Sequence, residues 1–204
     1  MKKYKLFLET ICFTLFFISG VLNSTPIVED KLKVESGKML FTLVKLVGSG
    51  YDKEMVNDES MTGLAEQIYG KMNLKENTFD VSIDVNPKNF FVGGKFKFAN
   101  PKMHDSHLES FKFGTMNFKG LIDSYDSITG IAKVTGTMTA HGVSINNFKM
   151  EGKVTSQKNG NGYLLASDFA INLHDFKIKM PGTKLTKINS IVKVKMKLEL
   201  VGMK

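Results

Sequence analysis

The chain has 204 residues, a net charge of +8, 42% hydrophobic residues and 24% charged residues. That length suits one domain, and that composition supports a packed core and excludes wholesale disorder. Every basic residue is Lys, so the paired guanidinium contacts that read guanine or grip phosphate are missing, and no nucleic-acid partner is expected.

Residues 1–24 have the make-up of a signal peptide: Lys2, Lys3 and Lys5 precede an apolar run from Ile11 to Leu22, with a cut after Ser24. The run is short for a membrane span, so the mature form, 25–204, is expected to carry no integral span and to lie in the periplasm or outside the cell. An uncleaved anchor is the alternative, because Leu22 occupies the position where a small residue is usual. Cys12 is the sole cysteine, and Glu9-Thr10-Ile11 before it is not a lipid-attachment signal. The mature chain therefore has no thiol for a disulfide, a metal or a nucleophile.

Period-two alternation dominates the rest. Met39 to Val47 reads as a dense apolar strand, and residues 60–72 fit either a helical turn or a strand. Val81, Ile83 and Val85 alternate with polar residues, and Phe96 and Phe98 with Lys95 and Lys97. A short helix is expected next, with Asn100 as its cap, Pro101 in its first turn, and Met103, His107 and Leu108 on one side. Further strands carry Ala132, Val134 and Met138; Phe148, Met150 and Val154; Phe169, Ile171 and Leu173; and Phe176, Ile178 and Met180. From Ile188 to Leu200, Ile188, Ser190, Val192, Val194, Met196, Leu198 and Leu200 face one way and Lys193, Lys195 and Lys197 the other, interrupted only by Ile191, whereas a helix would scatter these lysines. Asn86-Pro87, Gly93-Gly94, His141-Gly142, Asn159-Gly160 and Pro181-Gly182 punctuate the strands.

The fold class is therefore all-β and antiparallel. A sandwich or a closed barrel would hide the apolar faces, and alternation alone leaves both open. A barrel of about eight strands leaves room inside for side chains or for one ligand.

Three segments in register resemble the YceI-like family of exported polyisoprenoid-binding proteins. They are Phe96-Lys97-Phe98 with Met103 to Ser110 and the later Phe118-Lys119-Gly120; Val134 to Val143; and Ser167 to Ile178. The third lacks an Arg found in the better-known version of that motif. The resemblance spans roughly residues 32–200. It implies a lipocalin-like barrel with one short helix, an isoprenoid or other long-chain lipid as partner, no cofactor and no catalysis. It also favours a strand at Ile68–Met72, and leaves a homodimer open.

Phe98, Phe113, Phe118, Met138, Phe148, Met150, Phe169 and Phe176 are the candidate lining residues, since large rings and adaptable thioethers suit a long hydrocarbon. His141, inside the second motif, is the candidate head-group contact. Each is otherwise plain core or, for His141, a turn residue. A tail of roughly 20 methylenes would gain on the order of 16 kcal/mol, against an association cost of about 4–15 kcal/mol.

Two other readings compete. A small outer-membrane barrel would place Lys in its lumen, but the chain has no Trp for an interfacial girdle. A metalloprotein or hydrolase would use His104 and His107, with His174, Asp175 or Glu109 nearby. No nucleophile elbow, phosphate loop or paired-carboxylate motif supports catalysis.

Overall fold

The computed structural model describes residues 29–48, 55–157, 162–180 and 186–203. The export segment with Cys12, the Asn159-Gly160 turn and the Pro181-Gly182 turn fall outside them. Eleven strands are present among the described residues: β1 (Lys31–Gly48), β2 (Met55–Ala65), β3 (Ile68–Asn73), β4 (Thr78–Asp84), β5 (Phe90–Val92), β6 (Thr115–Tyr125), β7 (Ile131–Ala140), β8 (Val143–Ser156), β9 (Tyr163–Asn172), β10 (Thr186–Ile188) and β11 (Ile191–Gly202).

All pairings are antiparallel, in the order β11-β9-β8-β7-β6-β4-β3-β1, and β1 pairs back onto β11, closing an eight-stranded barrel. The barrel, not the sandwich, is how this sheet hides its apolar face. Closure also removes the free edges that invite aggregation. The 18-residue β1 outgrows its first neighbours. Its opening residues pair with β3 and β11, and its later ones with β2 and β10. β5 then adds to β2 over Gly63–Ala65, extending the wall beyond one end of the barrel.

Alternation becomes burial as the period predicts. Along β11, Val192, Val194, Met196, Leu198 and Leu200 are buried, while the intervening Lys193, Lys195, Lys197 and Glu199 are exposed. Charge is thus outside and grease inside, the reverse of a barrel set in lipid. His141 and Gly142 both take positive φ, 51° and 72°, in the two-residue turn that sets Ala140 opposite Val143. This is the turn geometry that matches strand twist, and glycine adopts it at no steric cost.

Four expectations need correction. Phe96-Lys97-Phe98 is not a strand but part of a helical segment: a 3₁₀ turn (Gly94–Ala99), an α turn (Asn100–Lys102) and a π turn (Met103–His107). Asn100 does not cap it. Its side chain instead accepts from the Val92 N–H at 2.7 Å and donates to the Val92 carbonyl at 3.0 Å, pinning β5 to the helix. Phe176 lies in the turns that follow β9, and Ile178 and Met180 in the irregular segment after them, with Lys177 at φ 56°. Phe176 and Ile178 are buried because that segment folds across the barrel end. Ile188 ends the separate β10, so the last strand starts at Ile191. Residues 60–72 are resolved as strand, including Ile68–Met72, with a break at Glu66-Gln67.

Candidate functional site

The barrel interior has two unlike halves. In one, Leu32, Met72, Leu198 and Leu200 are almost completely buried, and a residual gap among Met72, Phe79, Met150, Leu165 and Met196 amounts to only about 20 Å³. This half is a solid plug. Across its top runs a chain of rings, Phe79 tilted against Phe118 at 6.1 Å, then edge contacts from Phe118 to Phe148 at 6.3 Å and from Phe148 to Phe169 at 6.1 Å between centroids.

The other half is hollow, with a cavity of about 560 Å³. That is within the range of lipid and cofactor sites. Strand residues such as Phe41, Ile83, Ile171 and Val194 form its walls, and Met39, Met61, Met103, Met116, Met138 and Met180 supply half the protein's methionines to it. Unbranched thioethers adapt to irregular alkyl shapes with little strain. Phe90 and Val92 of β5, Phe96, Met103 and Leu108 of the helical segment, and Ile178 and Met180 of the segment after β9 roof it.

The roof stays in place through polar contacts at its roots. His104 is buried, with Nε2 at 2.7 Å from the Phe90 carbonyl and Nδ1 at 2.6 Å from the Ser110 hydroxyl. A carbonyl only accepts, so Nε2 carries the proton and Nδ1 accepts from Ser110. Burial holds the His104 pKa below its ordinary value, against the opposing pull of the Phe90 carbonyl and of Asp105. Phe41 stacks on Phe90 at 4.4 Å and lies over Gly63, where any Cβ would overlap its ring.

Of the residues singled out from sequence, Phe98, Met138 and Phe169 are on the cavity wall; Phe98, 80% exposed, stands at the rim. Phe118 and Phe148 belong to the ring chain beneath it, and Met150 to the plug. Phe176 is buried under the roof without reaching the cavity. Phe113 is off the wall, packed at 4.6 Å on His141. His141 points to Glu109 at 2.8 Å and to the Phe176 carbonyl at 3.3 Å, tying the β7–β8 turn to the roof. It is not among the cavity residues. Inward alternation told which residues were interior, not which level of the barrel they occupied.

Sequence reasoning missed Phe41, Phe90, Lys102 and Lys179 as lining residues. Met103, His107 and Leu108, placed together on one helix side, do line the cavity together. His104 and His107 do not form a metal site: both His104 nitrogens are engaged, and no cluster of three His, Cys, Asp or Glu exists among the described residues. Nor is any helix of the described residues long and apolar enough to cross a membrane.

Comparison with known proteins agrees with this architecture. The family model for the YceI-like domain matches residues 50–200. A polyisoprenoid binding domain from Saccharophagus degradans, implicated in plant cell wall breakdown, superposes with a TM-score of 0.59 at 14% identity, over 84% of this chain and 98% of that one. Burkholderia cenocepacia BcnA superposes with a TM-score of 0.52 at 15% identity, over 78% of this chain and 96% of that one. No curated protein matches the sequence at a significant level.

Proposed function

From the chain's membership of the YceI-like domain family, we propose that it is an exported, non-catalytic carrier that holds a polyisoprenoid or similar long apolar lipid in its barrel. The observation that carries this reading is the 560 Å³ chamber, walled by Met, Phe and aliphatic side chains above a solid plug. A space that large and that apolar costs stability unless something fills it. A lipid binding domain from Saccharophagus degradans shares the fold, which fits the same use. The Lys-led apolar run at residues 1–24 supports export to the periplasm or the medium.

Organic extraction of the purified protein, with mass spectrometry of the extract and native mass spectrometry of the complex, tests the proposal. A stoichiometric lipid that dissociates on extraction is expected. Protein that carries none, and takes up neither prenols nor fatty chains from micelles, would overturn it.

A further inference from the structure

Among the described residues the cavity has three polar side chains on its lining, Lys102, His107 and Lys179, and no Asp or Glu. Both lysines are exposed and stand where the roof meets solvent. His107 is more unusual. Its two ring nitrogens are buried, and neither makes a hydrogen bond of ordinary geometry among the described residues, although the Lys179 main chain lies beside the ring. The ring itself contributes to the cavity lining. Leaving a buried polar atom without a partner is unfavourable, so a partner that arrives with a ligand recovers that loss. A half-turn of the ring about Cβ–Cγ exchanges its nitrogens with its ring carbons and needs almost no extra room.

Size limits the other end of the ligand. A methylene occupies about the volume of a liquid water molecule, about 30 Å³, so 560 Å³ holds roughly twenty carbons. A much longer chain would project through the roof.

We infer that the ligand is a single-chain amphiphile of about twenty carbons with an anionic carboxylate or phosphate head, received by Lys102, Lys179 and His107. This rests on the carrier reading and specifies its cargo. The lysines contribute charge complementarity, and the His107 N–H, once turned, donates to a head-group oxygen. Among the described residues the lining adds no acidic side chain to oppose that attraction.

The test titrates the full-length protein with oleate, geranylgeranyl phosphate and their neutral alcohols, oleyl alcohol and geranylgeraniol, plus a prenol of about twice that length. Each anion is expected to bind at least about tenfold more tightly than its alcohol. The Lys102→Gln/Lys179→Gln double variant should reduce that ratio several-fold, because affinity for the acids falls further than affinity for the alcohols. His107→Phe should do the same. The long prenol should gain nothing over geranylgeraniol. Inorganic phosphate alone should not displace either anion, which separates a lipid head from a free-anion site. Equal affinity for acids and alcohols would overturn the head-group assignment and leave the carrier standing. A tighter long prenol would overturn the length limit. Failure of every ligand would bring down the carrier reading, and the cargo assignment with it.

Discussion

Single side chains decide how the roof is held and how it responds to acid. His104 is kept neutral by burial, and its two hydrogen bonds fit the neutral ring. His107 is also held below its ordinary pKa by burial above all, opposed by the Lys179 main chain and aided to a smaller extent by the charge of Lys102. In both cases the unfolded chain binds a proton more readily than the folded one. Stability therefore rises with pH through this window: the contribution is complete above the unfolded value near 6.5 and is lost as pH falls below it. Thermal unfolding followed between pH 7.5 and 5 should show a falling midpoint, and a His104→Leu/His107→Leu variant should flatten that slope. Ser110→Ala should cost about 1–2 kcal/mol by leaving Nδ1 of His104 unpaired, measurable by denaturant titration. At Gly63, substitution by Ala displaces the Phe41 ring from its place against Phe90. The expected cost is about 1–3 kcal/mol, together with weaker lipid uptake, because the displaced ring turns toward the chamber.

At the scale of elements, the weak point of the enclosure is the joint between β5 and the helical segment. β5 has only three residues and among the described residues pairs with β2 alone, and the Asn100 side chain supplies two more bonds to it. Asn100→Ala should lower global stability by about 1–2 kcal/mol. Stopped-flow release of a fluorescent lipid should show faster exchange, since the roof is then tied at fewer points. The same region shows where sequence and structure part company. β11 was legible because each Lys marks the wet face and each aliphatic the dry one, as the pleat requires. Phe96-Lys97-Phe98 has the same spelling, yet it folds as a 3₁₀ turn after Gly93-Gly94, where Gly94 takes φ 59°. Three residues are too few for a period of two to be told from a period of three. Phe176 to Met180 misled for a related reason: a loop draped over an apolar opening buries alternate residues without pairing to a strand. The interior set could be read from local pattern. The level at which each residue sits depends on register between distant strands, and no local pattern encodes that.

For the whole molecule, the contrast between plug and chamber is the central property. Bulk added to the chamber wall should be tolerated, because it meets empty space. Val194→Phe, on a strand whose partners are otherwise well packed, is expected to leave the unfolding midpoint unchanged or higher while weakening uptake of the longest chains. The opposite change in the plug, Leu198→Ala, removes a completely buried side chain and should cost about 2–5 kcal/mol with no direct loss of a ligand contact. Paired measurements of melting and of lipid affinity on the two variants separate holding the shape from holding the cargo.

The chain of rings from Phe79 to Phe169 thus works as a bulkhead. Everything below it is held together by contacts that exist whether or not a passenger is aboard. The vessel does not have to collapse when it is unloaded, nor be rebuilt around each new load. On the proposed carrier function, cargo exchange would then require opening of the roof alone.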